Sequence, residues 1–229
     1  HLLGNHLFAN AKALLFLGAF FKGAEADRWR ARGAALLLRE LEEQILDDGG
    51  HFERSPMYHA IILEDCLDLL ALDRLFPGTL DAALQREIAR RVPAMLDWLA
   101  AMTHPDGGIA FFNDAAFGIA PALGQLDAAA RCLGISAGAP RAPSSPTVRS
   151  LAESGYHRVE AGPAVLIADL APIGPAYLPG HAHADTLSFE LSLGSDRLFV
   201  NAGTSCYGVS DRRLRERGTS AHNTVVLQG

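Results

Sequence analysis

Two histidines separated by a single residue, His181 and His183, stand just before a stretch of alternating apolar and polar residues, 187–193. Such alternation predicts a β-strand with one apolar face. The apolar residues predicted to face a core are Leu187, Phe189, Leu191 and Leu193. In an extended chain residues i and i+2 project to the same side, so both imidazoles can serve one site. The pair suits a metal ligand beside a proton carrier, and it equally suits the polar face of an ordinary strand.

Other segments carry residues of the same chemical kind. They are Asn5-His6 near the start, the stretch 49–59 with its Tyr58, the single residue Asn201, and the pair His222-Asn223 near the end. Together with the two histidines above, this ordered set resembles the heparinase II/III family of polysaccharide lyases, which also includes oligoalginate lyases. The resemblance covers nearly the whole chain, and its specificity lies in the order of the motifs.

The resemblance implies cleavage of a uronic-acid-containing glycan by β-elimination, which leaves an unsaturated uronate end. The proton beside the carboxylate is very weakly acidic, so the site must neutralise the carboxylate and supply a base and an acid. By the family pattern, Asn5 neutralises the carboxylate, and His6 assists it or acts as the base for one sugar epimer. Tyr58 is the general acid and can also be the base, and His181 is a catalytic partner.

Each of these residues also has an ordinary structural interpretation. Asn5 precedes an apolar helix predicted over 7–21, where Asn is a favoured N-cap, and His6 would be a polar residue of its first turn. Pro56 places Tyr58 in the first turn of another helix, whose dipole would ease phenolate formation. The alternative for Tyr58 is a buried aromatic residue with a bonded hydroxyl.

The family pattern also implies a metal site formed by His183, Asn201 and His222. A zinc ion there would be mainly structural, tying strands together beneath His181. Histidines suit zinc, but a neutral Asn is a poorer ligand than the Asp often found at that position. Hydrogen bonds among the three side chains, without metal, are the alternative.

A substrate groove is predicted around Tyr58, with Arg217 as a further contact to sulfate or carboxylate groups. Its predicted members are His51, Glu53, Arg54, His59 and Arg217. Arg217 belongs to a run of arginines, 212–217, and such runs are usually solvated turns. The sequence gives His104 and His157 no role.

Two other functions compete with a lyase. A hydrolase on a similar helical toroid would need a pair of groove carboxylates. The candidates for that pair are Asp48, Glu53, Glu64 and Asp65. A non-catalytic glycan-binding relative would keep the pattern for shape alone.

The elements that must position these residues change type near residue 140. Helical periodicity runs through 29–45, 60–75 and 80–102, whereas the later part alternates like strands. Together with the resemblance, this predicts an α+β multidomain chain: the C-terminal hairpins of an incomplete (α/α) toroid over 1–136, a linker over 137–147, and the first strands of an antiparallel β-sandwich over 148–229. Asp-Gly-Gly occurs at 48–50 and again at 106–108, which indicates a helical repeat or two ordinary turns.

Composition narrows the partners. With 229 residues, of which 49% are hydrophobic and 20% charged, the chain can bury a large core. A net charge of −6 argues against nucleic-acid binding, and no apolar run reaches the ~18 residues that membrane insertion requires. Cys66, Cys132 and Cys206 lack metal or redox spacing and are each predicted to be a free, buried thiol. The resemblance implies an anionic polysaccharide or oligosaccharide as partner, in the periplasm or outside the cell.

Overall fold

A computed structural model describes residues 3–136 and 146–226. Five helices come first, then five strands, and a short helix and a 3₁₀ turn follow. The elements are α1 Asn5–Phe20, α2 Ala24–Gln44, α3 Pro56–Leu75, α4 Ala82–Ala101, α5 Leu123–Cys132, β1 Thr147–Leu151, β2 Tyr156–Ala161, β3 Ala164–Asp169, β4 Phe189–Leu193, β5 Asp196–Phe199, α6 Asp211–Arg217 and a 3₁₀ turn Thr219–Ala221. The three helices predicted from periodicity are confirmed as α2, α3 and α4. Of the predicted linker, residues 137–145 lie outside the described part, and the proposed domain boundaries stay predictions.

The helices pack around a core of mainly aliphatic side chains. Helix α1 lies against α2, and Gly33 of α2 allows a close crossing because a Cβ there would press on the Ala11 carbonyl and Leu15. Helices α3 and α4 begin at side-chain caps, since Ser55 accepts from the Tyr58 N–H and Asp81 accepts from the Leu84 N–H. These caps fix where the first turn of each helix lies.

The two Asp-Gly-Gly segments form the same turn. In the first turn the Leu46 N–H donates to the Gly50 carbonyl and the Phe52 N–H to the Gln44 carbonyl. In the second, His104 donates to Gly108 and Ala110 to Met102 in the same pattern. In both turns the aspartate accepts from the second glycine's N–H. The repeat is therefore structural, which favours the helical-repeat interpretation.

Both turns also dock the helices onto the strands. The second carboxylate oxygen of Asp48 accepts from the N–H and hydroxyl of Ser154, and that of Asp106 accepts from the Arg197 guanidinium. A shared core lies between these contacts. It joins Trp98, Ala101, Met102, Ala110 and Phe112 to Leu151, Tyr156, Val165 and Ile167.

The strands form one antiparallel sheet in the order β1-β2-β3-β4-β5. The predicted strand over 187–193 is shorter, because β4 starts at Phe189 and Leu187 has a positive φ of 67°. The predicted apolar core face was wrong. Glu190 and Ser192 are the buried residues of β4, whereas Leu187 and Leu193 are exposed.

The buried face of β4 is polar because it meets a polar part of the helical region. His104 places its Nε2 3.0 Å from Glu190 Oε2 and its Nδ1 2.7 Å from Ser192 Oγ. Glu190 also accepts from the backbone N–H groups of Phe111 and Asn201. His104, expected to be incidental, therefore joins the helices to the sheet. The three cysteines are free, as predicted, but only Cys66 is buried; Cys132, at the end of α5, is exposed. No helix of the described residues is long and apolar enough to cross a membrane.

Candidate active site between the helices and the sheet

Tyr58 is positioned by a bend in the chain just before α3. Arg54 has a positive φ of 58°, a conformation that costs energy for a residue other than glycine. Tyr156 Oη and Asn113 Nδ2 donate to its carbonyl, and its guanidinium donates to the carbonyls of Ser154 and Pro172. Arg54 therefore serves as an anchor between the two parts, with its Nε and Nη1 bound to protein carbonyls.

His181 lies on the loop between β3 and β4, which is held from both sides. The Arg217 guanidinium donates to the carbonyls of Ala182 and Pro179, and the Asp114 N–H donates to the His181 carbonyl. The His181 imidazole packs against the Tyr58 ring, with centroids 3.8 Å apart and planes inclined by 32°. The structure thus brings Tyr58 and His181 together, and it places Arg217 as a support of the loop.

Glu53 connects this pair to the start of α1. Its Oε1 accepts from the Asn5 N–H at 3.1 Å, and its Oε2 lies 3.4 Å from His181 Nε2. A side chain at Gly4, whose φ is +62°, would overlap the Glu53 carboxylate, so the approach needs glycine. Burial raises the pKa of Glu53, against the lowering influence of His181.

The start of α1 differs from the N-cap interpretation. Gly4 occupies the N-cap position, and Asn5 is the first helical residue, with no side-chain hydrogen bond capping the helix. Asn5 is half-buried, and His6 beside it is exposed. Asn5 and His181 contact Glu53, and the charges of His6 and Glu53 are close enough to affect the pKa of Glu53 and of Tyr58 respectively. We call this group of five residues, between the helices and the sheet, the cleft.

The Tyr58 hydroxyl is 2.9 Å from the hydroxyl of Tyr207, a residue that the sequence did not single out. Burial raises the pKa of Tyr58 well above its ordinary value, and the hydrogen bond to Tyr207 and the charge of Asp114 raise it further. The α3 dipole was expected to ease phenolate formation, but burial and these neighbours favour the protonated phenol. Tyr58 is suited to donate a proton.

Asp114 is the other residue that sequence reasoning missed. Its carboxylate contacts His181, His183, Thr204 and Arg213. Burial raises the pKa of Asp114, but hydrogen bonds from these four side chains outweigh it and hold the pKa far below the ordinary value. The only sequence signal was a polar Asn113-Asp114 pair directly after the apolar stretch 109–112.

The implied metal ligands lie together beneath His181, and they fit zinc only in part. The rings of His183 and His222 have centroids 5.3 Å apart. His183 Nδ1 and His222 Nε2 are buried without a hydrogen-bond partner among the described residues. Burial and the nearby His183 lower the pKa of His222 to about 4, so the neutral ligand form prevails. His183 also turns its other nitrogen to Asp114 at 2.8 Å, as zinc-bound histidines do.

Asn201 does not complete this set. Its Oδ1 faces His222 Nδ1 at 3.4 Å and accepts from the Asn223 N–H at 3.3 Å, so the oxygen points at donors. Its buried amide nitrogen is unpartnered in the part of the chain the structure describes, but an amide N–H₂ group does not bind zinc. Within the described ranges, no three His, Cys, Asp or Glu side chains are grouped to hold a metal ion.

Two predicted groove residues point into the protein. His51 is buried, with Nε2 3.0 Å from Gln44 Oε1, and its N–H donates to His59 Nδ1. His59 Nε2 is 2.9 Å from the Met95 carbonyl, and burial lowers its pKa to about 4. The histidines therefore brace the first Asp-Gly-Gly turn, while Glu53 alone of the five predicted groove residues reaches the Tyr58 and His181 pair.

Two family models match the chain. "Heparinase II/III N-terminus" matches residues 1–125, and "Heparinase II/III-like, C-terminal" matches residues 143–229. The chain belongs to the heparinase II/III family. The candidate site draws on both matched regions, since Asn5 and Tyr58 lie in the first and His181 lies in the second.

Curated relatives of this heparinase II/III chain include two named "Heparin-sulfate lyase". The Pedobacter heparinus relative is 24% identical over 98% of the chain and 36% of its own length. The Bacteroides stercoris relative is 31% identical over 49% of the chain and 17% of its own length. "FtsZ-localized protein C" of Caulobacter vibrioides is 30% identical over 74% of the chain and 27% of its own length. The chain thus spans about a third or less of each relative.

Solved structures show the same fold. A crystal structure of heparinase III superposes with a TM-score of 0.78 at 21% identity, over 97% of this chain and 38% of that one. A crystal structure of a heparan sulfate lyase from Pedobacter heparinus superposes with a TM-score of 0.70 at 23% identity, over 97% and 37%. The arrangement of helices followed by an antiparallel sheet is therefore heparinase III-like.

Proposed function

We propose that the protein is a polysaccharide lyase that cleaves a uronic-acid-containing glycan by β-elimination. The observation that carries the proposal is the stacked pair of Tyr58 and His181, contributed by the two matched regions and set beside Asn5 and Glu53. Proton-transfer groups of this kind, stacked side by side and half-buried, suit removal of a weakly acidic proton. The names of two relatives support an anionic glycosaminoglycan as the substrate class.

The residues divide the reaction between them. Asn5 donates its amide hydrogens to the uronate carboxylate, so that the charge spreading into it is stabilised as the adjacent proton leaves. His181 or the exposed His6 takes that proton, and the electron pair of the broken C–H bond forms the new C=C bond. The neighbouring C–O bond breaks, and Tyr58 donates its proton to the departing glycosidic oxygen. The raised pKa of Tyr58 keeps its hydroxyl protonated until this step.

The geometry favours a lyase over the hydrolase alternative. Inverting and retaining hydrolases need two carboxyl groups facing one bond. Of the four candidates only Glu53 reaches the cleft, because Asp48 binds Ser154, Asp65 pairs with Lys12, and Glu64 has the same Lys12 and Asp65 as its charged neighbours. Asp114, the second carboxylate near His181, is bound by Arg213 and both histidines.

The finer architecture and setting belong to the same proposal. The five helices would be the last hairpins of an incomplete (α/α) toroid, and the sheet the start of a β-sandwich, in a periplasmic or secreted protein. Zinc held by His183 and His222 would tie the loop beneath His181 to the end of the chain. Its role would be structural, and the reaction steps above depend only on side chains of the cleft.

The test is an absorbance assay of the full-length protein against a panel of heparan sulfate, hyaluronan and alginate. A lyase product has a double bond conjugated to the carboxylate and absorbs in the near ultraviolet, whereas hydrolysis adds reducing ends without absorbance. Binding without turnover on every polymer would indicate a non-catalytic relative, an outcome that matters because one relative is named for localisation with FtsZ.

Tyr58→Phe tests the assignment of the acid. The substitution keeps the ring against His181 and removes only the hydroxyl, so we expect kcat to fall ~100- to 10,000-fold with little change in binding. Tyr177→Phe is the matched control, since Tyr177 is an exposed tyrosine whose hydroxyl donates to Glu43. It should keep near-normal turnover. A wild-type kcat in Tyr58→Phe would mean that another residue donates the proton.

A further inference from the structure

One buried carboxylate, that of Asp114, contacts both histidines of the His-x-His motif. Asp114 Oδ2 lies 2.9 Å from His181 Nδ1, and Asp114 Oδ1 lies 2.8 Å from His183 Nε2. Arg213, which lies on α6, donates to both carboxylate oxygens, and the bond from its Nη2 to Asp114 Oδ2 measures 2.7 Å. Asp114 lies in the loop between α4 and α5, whereas both histidines lie between β3 and β4 and Arg213 lies on α6.

Residues 113 and 114 are hydrogen-bonded to the loop that carries His181 and His183. Asn113 has a positive φ of 57°, which asparagine tolerates better than most residues, and this bend directs the next side chain inward. The Asp114 N–H donates to the His181 carbonyl at 3.0 Å, and the His183 N–H donates to Asn113 Oδ1 at 3.0 Å. Ser55, the cap of α3, also donates its hydroxyl to the Asp114 carbonyl.

These contacts determine which nitrogens carry protons. An ionised carboxylate can only accept, and the bidentate Arg213 keeps this one ionised. The nitrogens that face it must therefore be N–H donors, Nδ1 in His181 and Nε2 in His183. In neutral imidazoles the opposite nitrogens are then bare. His181 Nε2 is such a nitrogen, because Glu53 Oε2, although 3.4 Å away, has no hydrogen-bond partner among the described residues, so Nε2 can accept a proton.

We propose that Asp114 is the positioning residue of this cleft, which fixes His181 in its Nδ1–H tautomer and so holds Nε2 ready to accept a proton. Asp114 acts through His181 and touches no substrate. The catalytic consequence rests on the proposed lyase function, but the tautomer does not. The same carboxylate sets the orientation of His183, so the two histidines of the motif are not independent.

The test compares the full-length wild type with Asp114→Asn. In the variant, the single amide oxygen is drawn to Arg213 and the amide N–H₂ group faces His181, so Nδ1 must become an acceptor. The His181 proton should then move to Nε2, toward the Glu53 carboxylate. Long-range ¹H–¹⁵N spectra of ¹⁵N-histidine-labelled protein distinguish the two tautomers, and the His181 signal is assigned by its loss in His181→Gln. The spectra are recorded at about pH 9, where an ordinary histidine is neutral and its single ring proton defines the tautomer.

Asp48→Asn is the matched control. Asp48 is likewise an aspartate that joins a helical hairpin to the strand region, through Ser154, but it does not touch the cleft. We expect Asp114→Asn to lower kcat about 10- to 100-fold with little change in KM, the usual effect of losing an outer-shell partner. Asp48→Asn should reduce thermal stability while it preserves kcat and the His181 tautomer.

The outcomes separate the two proposals. A wild-type His181 with a bare Nδ1, or an unchanged tautomer in Asp114→Asn, would overturn the positioning role whether or not the protein is a lyase. An equal loss of kcat in both variants would reduce Asp114 to a stability residue. If every glycan fails as a substrate while the tautomer switches as expected, the positioning role stands and the lyase proposal fails.

Discussion

The repeated Asp-Gly-Gly turn provides a matched pair of substitutions, Gly49→Ala and Gly107→Ala. Both glycines occupy the same turn position, with φ of 90° and 85°, so alanine meets a similar backbone strain of about 1–2 kcal/mol at each. The surroundings differ. A Cβ at Gly107 meets nothing within 4 Å, whereas one at Gly49 would lie 2.5 Å from the Ala94 carbonyl carbon and closer to its oxygen.

The clash at Gly49 is with the backbone of α4, which cannot move aside as a flexible side chain can. Overpacking of this kind costs about 1–3 kcal/mol beyond the strain. We therefore expect Gly107→Ala to lower the free energy of unfolding by about 1–2 kcal/mol. Gly49→Ala should lower it by about 2–5 kcal/mol, the sum of strain and overpacking.

Urea denaturation of the full-length protein, followed by circular dichroism, measures both changes. The slopes of the transitions should match the wild type, so that the midpoints report stability alone. Equal destabilisation by the two substitutions would refute the reasoning, because it would mean that α4 does not press on the first turn as the structure shows.

Two further predictions concern buried polar groups. Burial raises the pKa of Asp169 to about 8, helped by the charge of Asp185. Between pH 4 and 8 the folded state therefore keeps a proton on Asp169 that the unfolded state has released, since an ordinary aspartate has a pKa of ~3.9. The free energy of unfolding should then fall by up to ~1.4 kcal/mol for each pH unit across this range. Asp169→Asn should flatten this fall in urea titrations at pH 5 and 7, and an unchanged slope would contradict it. If His183 and His222 hold zinc, a chelator and His183→Ala should lower the melting temperature alike. Equal melting temperatures with and without chelator, and no metal by elemental analysis, would leave a hydrogen-bonded cluster.

Much of the fold follows from local pattern, which is why α2, α3 and α4 could be predicted. Helix periodicity and the caps at Ser55 and Asp81 depend on nearby residues only. The order of motifs was enough to anticipate that Tyr58 and His181 meet. Their hydrogen bonds were beyond prediction, since Tyr207 and Asp114 come from loops with no motif of their own.

The wrong prediction of which face of β4 is buried has a different cause. Alternation shows that a strand has two unlike faces, but what packs on each face decides which one is buried. Here Glu190 is buried because His104 and two backbone N–H groups reach it from other segments. His51 and His59 were misplaced for the same reason, because they bind each other, Gln44 and Met95.

The cleft is held by contacts between residues far apart in the chain, and this has a consequence for how the protein folds. Asn5 and Glu53 are 48 positions apart, His181 and Asp114 are 67 apart, and Tyr58 and Tyr207 are 149 apart. Contacts across long loops form late, since the chain must first lose the entropy of closing them. We expect the helical hairpins to fold first and the cleft to assemble last, so that in hydrogen exchange the amide of Asp114 opens before those within α4. Greater protection at Asp114 than in α4 would reverse this order.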